Sequence, residues 1–250
     1  MSMPITNQRP HTPSVKVRRS RERGFEDFGW TDNWMTFSFG AYHDPAWMHF
    51  GPLRVIVENH IQPHQGFQAH QHRDVEIVTY VSAGTLTHED SFGHKAGVTA
   101  GEMQHISAGR GMVHSERNLH DTVEHNLQIW FMTDRRGTEF AYHQLKFTPE
   151  ERQNRFRLYV SKDARDGSMP INADARVYAG LFQSGSHVEH LVELGRAAWI
   201  QMVSGHVRVA GVTLSAGDGA GITDDERLIF EFDEASEVVL FDVRMDVPLS

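Results

Sequence analysis

The chain has 250 residues, no cysteine and a formal net charge of −9 with histidine counted as neutral. Its length accommodates one large β domain or two small ones, and it buries enough surface to fold without covalent cross-links. The absence of cysteine excludes disulfides, thiolate metal sites and a cysteine nucleophile, which leaves His, Asp and Glu as metal ligands. The negative charge argues against non-specific nucleic-acid binding, and no apolar run approaches the ~20 residues of a membrane span.

The N-terminal segment, residues 1–14, is polar and contains prolines. It predicts a flexible arm without the apolar centre of a secretory signal, so we expect a cytoplasmic protein. The basic residues that follow are Lys16, Arg18, Arg19, Arg21 and Arg23. As a nucleic-acid patch they would be few and interrupted by Glu22, so a solvated edge strand with the loop after it is favoured.

Residues 25–48 are rich in aromatic side chains, which favour core and rim packing over a stacking platform for a planar ligand. Val75–Val81 and Leu127–Phe131 are strong strand patterns. Turn glycines punctuate the segment between them, namely Gly84, Gly93, Gly97 and Gly101. Short strands at this density, with no convincing ten-residue helix, predict an all-β sandwich or barrel.

Two pairs of candidate ligands with period-two spacing lie before and after the run of turn glycines. His70 and His72 would project from the same face of one strand, and His114 and Glu116 would do so on another. Pairing the two strands would bring three imidazoles and one carboxylate into one pocket. Such a set suits Fe(II), Mn(II), Ni(II), Cu(II) or Zn(II). Most other histidines, including His64 and His88, are expected at the surface or in a supporting role.

The two blocks resemble the paired signatures of the cupin superfamily and, more narrowly, those of the pirin family. The first block is Gly-Phe-x-x-His-x-His-Arg-Asp-x-Glu from Gly66 to Glu76, and the second closes with His-Ser-Glu-x-Asn from His114 to Asn118. Further matching segments are Arg23–Gly24, Thr36–Gly40, Tyr42–Pro45, Phe50–Ile56, Asp163–Ser168 and Val203–Val207. The length and C-terminal half resemble the shorter bacterial pirin-like proteins with quercetin 2,3-dioxygenase activity.

The resemblance implies that His70, His72, His114 and Glu116 bind one divalent metal ion. Fe(II) is expected first, with Ni, Cu, Mn, Zn and Co as alternatives that the ligand types do not separate. Glu76 lies four residues after His72, which predicts that it shares the same strand face, and it is assigned a supporting role. The implied activity is a metal-dependent dioxygenase that opens the ring of a flavonol such as quercetin with O2 and releases CO. Its partners would be O2 and a small planar aromatic substrate, without nucleic acid or membrane.

Glu116 is also a candidate catalytic base, because a carboxylate held at the metal can accept the proton of a bound hydroxyl. The alternative function is a non-catalytic or redox-sensing pirin-like regulator that acts through protein contacts. The charge of −9 indicates that such a role would not use DNA.

The second half of the chain repeats the glycine-turn pattern of the first, which suggests an internal duplication. We expect two tandem cupin (jelly-roll) barrels, at residues 15–147 and 155–247, joined by the polar stretch between them. The second barrel is predicted to be degenerate, because His187 and Glu189 share a face but no His-x-Glu partner follows Asp218. With both barrels in one chain, a monomer is expected.

Overall fold

Short strands with glycine turns account for most of residues 13–246, the part of the chain that this computed structural model describes. The first strands are β1 (Ser14–Arg18), β2 (Gly24–Asp27), β3 (Thr31–Met35), β4 (Leu53–Ile61), β5 (Gly66–His72), β6 (Val75–Ala83), β7 (Thr85–Asp90), β8 (Lys95–Thr99), β9 (Glu102–Ser107), β10 (Met112–Arg117), β11 (Glu124–Met132) and β12 (Ala141–Lys146). All but the last two residues of the predicted arm lie outside the described residues.

A four-residue helix, α1 (Pro149–Arg152), follows β12 within the predicted linker. The remaining strands are β13 (Arg157–Ser161), β14 (Met169–Pro170), β15 (Ala175–Phe182), β16 (His187–Leu191), β17 (Arg196–Ser204), β18 (His206–Val209), β19 (Val212–Ser215), β20 (Gly219–Thr223), β21 (Arg227–Glu231) and β22 (Ser236–Arg244). Two 3₁₀ turns span Ser20–Glu22 and Arg165–Gly167. The helices among the described residues are too short or too polar to cross a membrane.

The strands form two barrels that share most of their topology. In the first, a seven-stranded sheet in the order β12-β9-β6-β11-β4-β3-β2 accompanies a four-stranded sheet in the order β5-β10-β7-β8. In the second, the orders are β1-β20-β17-β22-β15-β13-β14 and β16-β21-β18-β19. The inner strands of the two large sheets and all strands of the two small sheets correspond, whereas the edges of the large sheets differ: β1 comes from the N-terminus, and β14 pairs in parallel. The predicted duplication and the tandem cupin architecture are confirmed.

One apolar core joins the two seven-stranded sheets. Along β11, Ile129 and Phe131 point towards the second barrel, where the Phe131 ring lies 6.1 Å from that of Phe241. The alternate residues, Gln128 and Trp130, point into the first barrel. Because both faces of this sheet are covered, strands such as β6 are buried along nearly their whole length.

The interiors of the two barrels differ in chemistry. Apolar side chains fill the second barrel, with Ile200, Leu214 and Phe230 among those that are fully buried. The first barrel has only small apolar clusters near its ends, and polar side chains such as Gln104 and Gln128 lie between them. The first barrel therefore retains a polar interior, and the second is degenerate as predicted.

The first strand lies in the other barrel from the one expected. β1 pairs antiparallel with β20 at the edge of the C-terminal sheet, although residues from 15 onward were expected in the N-terminal domain. The reason is the alternation of β1, which packs Val15 and Val17 against the C-terminal core. Its other face turns towards the first barrel, where Lys16 bonds the carbonyl of Ala46.

The basic segment is an edge strand as expected, but it is not wholly solvated. Arg18 is 3% exposed and bonds the hydroxyl of Tyr42. Arg23 is buried and pairs with Glu58 at 2.7 Å. Because Arg18 and Arg23 are buried and already paired, they are unavailable to phosphate groups. Their contacts instead hold the N-terminal segment against the rest of the fold.

Candidate metal centre

Two paired strands bring the predicted histidines together. β5 and β10 run antiparallel with His70 opposite His114 and Met112 opposite His72. The ring centroids of His70, His72 and His114 are 4.5 to 4.8 Å apart in all three pairs. One nitrogen from each ring lies within 4.8 Å of the other two, so side chains more than forty residues apart in the chain form one cluster.

Local contacts leave these imidazoles ready to act as ligands. The Nδ1–H of His70 donates to the carbonyl oxygen of Gln68 at 2.8 Å, which turns its Nε2 lone pair towards the cluster. Burial, and then the neighbouring imidazoles, lower the pKa of His72 to about 4 and that of His114 to about 3. Both rings are therefore neutral at pH 7, the form that binds a metal ion.

The spacing of the nitrogens fits a divalent metal ion. The Nε2 atoms of His70 and His114 are 3.0 Å apart. Neighbouring ligands on an octahedral ion are separated by about 3.0 Å when each metal–nitrogen bond is about 2.1 Å. Two unprotonated nitrogens this close would repel each other through their lone pairs. A metal ion bound between them, or a proton on one of them, would remove this repulsion.

Glu116 lies beside the cluster and is fixed by amide donors. Gln104 donates to its Oε1 at 2.8 Å, and Gln128 donates to its Oε2 at 2.6 Å. A carboxylate oxygen of Glu116 lies within 4.8 Å of nitrogens of His114 and His88. The carboxylate is 2% exposed, and it lines the same cavity as His70 and His72.

His88, expected at the surface or in a supporting role, lies in the interior beside the histidine cluster. It is fully buried, lies opposite Glu116 in the β10–β7 ladder and has its ring 5.4 Å from that of His114. Its Nε2 bonds Asp90 at 2.9 Å. The alternation of Leu86 and His88 along β7 was the signal that both point inward.

Two other sequence assignments have clear outcomes. Glu76 does not share a strand face with His72, because β5 ends at His72 and a positive φ of 50° at Asp74 turns the chain into the other sheet. There Glu76 accepts bonds from His105 and Ser107, both at 2.8 Å. His64 is exposed and bonds Asp121 at 2.8 Å, so it lies at the surface as expected.

A second group of possible ligands, Glu58, His60 and His125, is occupied by bonds within the protein. Glu58 is bonded by Arg23 and His125 at 2.7 and 2.8 Å, and these contacts hold the pKa of its carboxyl at about 2 despite burial. The other ring nitrogen of His125 bonds Ser82. We interpret this group as a structural ion-pair network.

A cavity of about 440 Å³ opens beside the histidines. Phe39, Phe67 and Trp130 supply aromatic walls, and the Trp130 ring lies 4.9 Å from that of His72. The aromatic-rich segment thus contributes to both the core and the cavity, because Phe37 packs in the core while Phe39 lines the cavity. The space suits a planar aromatic molecule placed against the histidine cluster.

The second barrel has no equivalent centre among the described residues. Glu189 forms an exposed ion pair with Arg227, and His187 is exposed. The inward position on β16 is taken by His190, which bonds the buried Asp242. The weak second-site pattern in the sequence is therefore a surface feature.

Comparison with known proteins agrees with this arrangement. Residues 15–131 match the family model described as Pirin, and residues 158–243 match the model described as Quercetinase C-terminal cupin domain. Quercetin 2,3-dioxygenase of Escherichia coli K12 is 41% identical over 230 residues, which cover 92% of this chain and 98% of that protein. A pirin-like protein of Caulobacter vibrioides is 36% identical, covering 88% and 95%.

Solved structures give the same result. The crystal structure of YhhW from Escherichia coli superposes with a TM-score of 0.88 at 41% identity, covering 92% of this chain and 97% of that one. Bacterial pirin YhhW in complex with nickel(II) superposes with a TM-score of 0.87, covering 92% and 99%. With a match to the Pirin model, 41% identity over most of the chain and the same fold, the chain belongs to the pirin family.

Proposed function

We propose that this protein is a metal-dependent dioxygenase that opens the heterocyclic ring of a flavonol such as quercetin with O2 and releases CO. The observation that carries the proposal is the cluster of three histidines at the wall of an aromatic-lined cavity. The names of its relatives support the same reaction, because the Escherichia coli protein is a quercetin 2,3-dioxygenase.

We further propose that His70, His72, His114 and Glu116 hold one divalent metal ion. Fe(II) remains the first expectation, and the nickel(II) complex of the related pirin supports Ni(II) as well. When bound, the ion would supply Lewis acidity that lowers the pKa of a coordinated substrate hydroxyl.

The side chains around the cavity have separate tasks in this proposal. Phe39, Phe67 and Trp130 would hold the planar ring system and exclude water from it. Glu116 would accept the proton of the substrate hydroxyl that faces the histidines. Gln104 and Gln128 would keep its carboxylate pointed at that proton, since both already donate to it.

Oxygen consumption with quercetin, together with CO release, tests the reaction after metal-free protein is loaded separately with Fe(II), Ni(II), Cu(II) and Mn(II). We expect turnover with at least one metal and a loss of about a thousandfold or more in His72→Ala. His64→Ala, which removes an exposed histidine, should match the wild type. A protein that binds metal but consumes no flavonol would contradict the proposal and favour the regulatory alternative.

The second role of Glu116 is tested by Glu116→Gln. The amide keeps an oxygen for the metal but is a far weaker base, so kcat should fall about a hundredfold while nickel binding survives in weakened form. Metal content by elemental analysis and kcat from oxygen uptake separate the two effects. A variant with full metal content and unchanged kcat would show that Glu116 is a ligand only or takes no part.

We also propose that the protein acts as a monomer in the cytoplasm. The large apolar core between the two seven-stranded sheets supports the monomeric state, because each sheet is already covered by the other barrel of the same chain. Sedimentation equilibrium of the purified protein should give the mass of one chain, 28.4 kDa, at micromolar concentration. A stable dimer would contradict the monomer.

A further inference from the structure

A row of three asparagines crosses the inner face of the first barrel. Asn33 on β3 is in register with Asn59 on β4, which is in register with Asn126 on β11. The three side chains are 7%, 3% and 2% exposed, respectively. Asn33 and Asn59 line the cavity together with His70 and His72. Burying three adjacent amides lowers the stability of the fold unless their hydrogen bonds are satisfied.

The orientation of the amides is set from one end of the row. Asn126 donates from Nδ2 to Glu124 Oε2 at 2.8 Å, so its Oδ1 faces the other way. That oxygen accepts from Asn59 Nδ2 at 3.1 Å. Asn59 therefore donates within the row, and its Oδ1 is left as an acceptor.

This acceptor is buried and has no partner among residues 13–246. Buried polar atoms of proteins nearly always have a partner, and leaving one without costs stability. An acceptor on the wall of a cavity can be satisfied by a group that enters the cavity. That group must carry a hydrogen-bond donor.

Asn33 has the complementary polarity. Its Oδ1 accepts from the hydroxyl of Thr31 at 3.3 Å, which leaves Nδ2 as its donor. The cavity wall thus offers an amide donor and an amide acceptor on adjacent strands. A hydroxyl group both donates and accepts one hydrogen bond, so it matches this pair, whereas a hydrogen or methyl group would satisfy neither amide.

We propose that Asn59 and Asn33 determine substrate specificity by binding a hydroxyl group of the flavonol that is remote from the group facing the histidines. This rests on the proposed function, and it names the substrate class as flavonols that carry further hydroxyls on their rings. Asn126 and Glu124 act as positioning residues that fix the orientation of Asn59.

Equilibrium binding to the full-length, metal-free protein tests this without turnover. Quenching of tryptophan fluorescence reports binding, since Trp130 lines the cavity. The probes are quercetin, galangin and 3-hydroxyflavone. Galangin has extra hydroxyls on the fused ring only, and 3-hydroxyflavone has no hydroxyl besides the one at position 3. We expect the wild type to bind at least one of the hydroxylated flavonols about tenfold more tightly than 3-hydroxyflavone. An apolar cavity without this recognition would prefer 3-hydroxyflavone, which would overturn the proposal.

The variant Asn59→Leu removes the amide at similar volume. It should weaken binding of the preferred hydroxylated flavonol about tenfold and leave 3-hydroxyflavone equal or tighter. Val57→Ala is the matched control, because it reshapes the same wall and retains both amides. It should change all affinities together and keep the preference.

Other outcomes are equally decisive. If Asn59→Leu fails to fold, Asn33→Leu must reduce the preference in the same assay, and the wild-type series stands by itself. A preference that survives in either variant overturns the inference. Oxygen uptake by metal-loaded protein is measured separately, so hydroxyl recognition without turnover would contradict the proposed function alone.

Discussion

At the scale of single residues, the site depends on side chains that hold the proposed ligands as much as on the ligands. Glu116 is fixed by two glutamine amides, and His70 by the backbone carbonyl of Gln68. Such partners orient a ligand before the metal arrives, and their loss commonly lowers metal affinity by about ten- to a hundredfold. The supporting residues are therefore as open to test as the histidines.

Gln128→Leu tests the support of Glu116. The change removes the 2.6 Å bond to Oε2 and leaves a buried carboxylate oxygen facing an apolar group. Nickel(II) affinity measured by titration calorimetry should fall about tenfold or more. Gln144→Leu, which removes an amide that bonds Glu102 instead, should bind nickel like the wild type. Equal affinity in both variants would contradict the supporting role.

Glu58 makes the stability of the metal-free protein sensitive to acid. The pKa of its carboxyl is lowered from 4.5 to about 2, where its bonds to His125 and Arg23 outweigh burial. A lowered folded-state pKa gives stability that is present above pH 4.5 and is lost as the pH falls towards 2. The loss is about 3 kcal/mol for this group.

Glu58→Gln measures that contribution. Urea unfolding at pH 6 should show the variant less stable than the wild type, and the difference should shrink steadily between pH 4.5 and pH 2. Glu139→Gln, which removes an exposed carboxylate, is the control. A difference that stays constant with pH would mean that the carboxylate charge is not the source of stability.

Residues differ in how far the sequence predicts them. The shared face of His70 and His72, and that of His114 and Glu116, was predictable because alternation within a strand is a local property. The inward position of Asn59 was not foreseen, because β4 is buried on both faces and its sequence does not say which face lines a barrel. The place of Glu76 was missed for a related reason, since one turn at Asp74 transfers the chain to another sheet.

At the scale of elements, the pairing of β5 with β10 creates the histidine cluster. Gly66 begins β5 with φ of 153°, and a Cβ there would lie 2.4 Å from Arg117 Cα and 2.5 Å from the Glu116 carbonyl oxygen. Only glycine lets the two backbones approach so closely. Gly66 therefore sets the distance between β5, which carries His70 and His72, and β10, which carries the other two proposed ligands.

Gly66→Ala should separate the strands. We expect nickel(II) affinity to fall at least about tenfold, together with a lower melting temperature. Gly93→Ala is the matched control, since Gly93 also has a positive φ, of 94°, but nothing lies within 4 Å of a Cβ placed there. It should lose about 1 kcal/mol of stability from backbone strain and keep its metal affinity. Parallel effects in both variants would contradict the close-approach argument.

At the scale of the whole molecule, the two barrels are joined by ionic contacts as well as by the shared core. Arg152 of α1 is 5% exposed, donates to Tyr80 of the first barrel at 2.6 Å and pairs with Glu237 of the second at 3.3 Å. Tyr80 also bonds Glu237. Removing the cation would leave the buried end of this network unpaired.

Arg152→Met should lower the free energy of unfolding by about 3 kcal/mol, because it keeps the aliphatic volume and removes the charge. Arg155→Met removes an exposed arginine of the same segment and should change stability by less than about 0.5 kcal/mol. Denaturant unfolding monitored by tryptophan fluorescence gives both values. Equal stabilities would show that the ionic contacts do not hold the barrels together.

The duplication was predictable because glycine turns recur at matching positions in both halves. The placement of β1 was not, because an amphipathic strand of five residues fits the edge of either barrel. Which edge it joins is decided by contacts between distant parts of the chain, including Arg19 with Asp218 at 2.7 Å. Such contacts cannot be predicted from the local sequence of β1.

We propose that four side chains from two paired strands bind one metal ion in the first barrel. Anomalous diffraction at the nickel absorption edge, from crystals of nickel(II)-loaded protein, tests this proposal. We expect one strong peak about 2.1 Å from nitrogens of His70, His72 and His114 and from an oxygen of Glu116. A peak elsewhere, for instance among Glu58, His60 and His125, or no peak in loaded protein would contradict it.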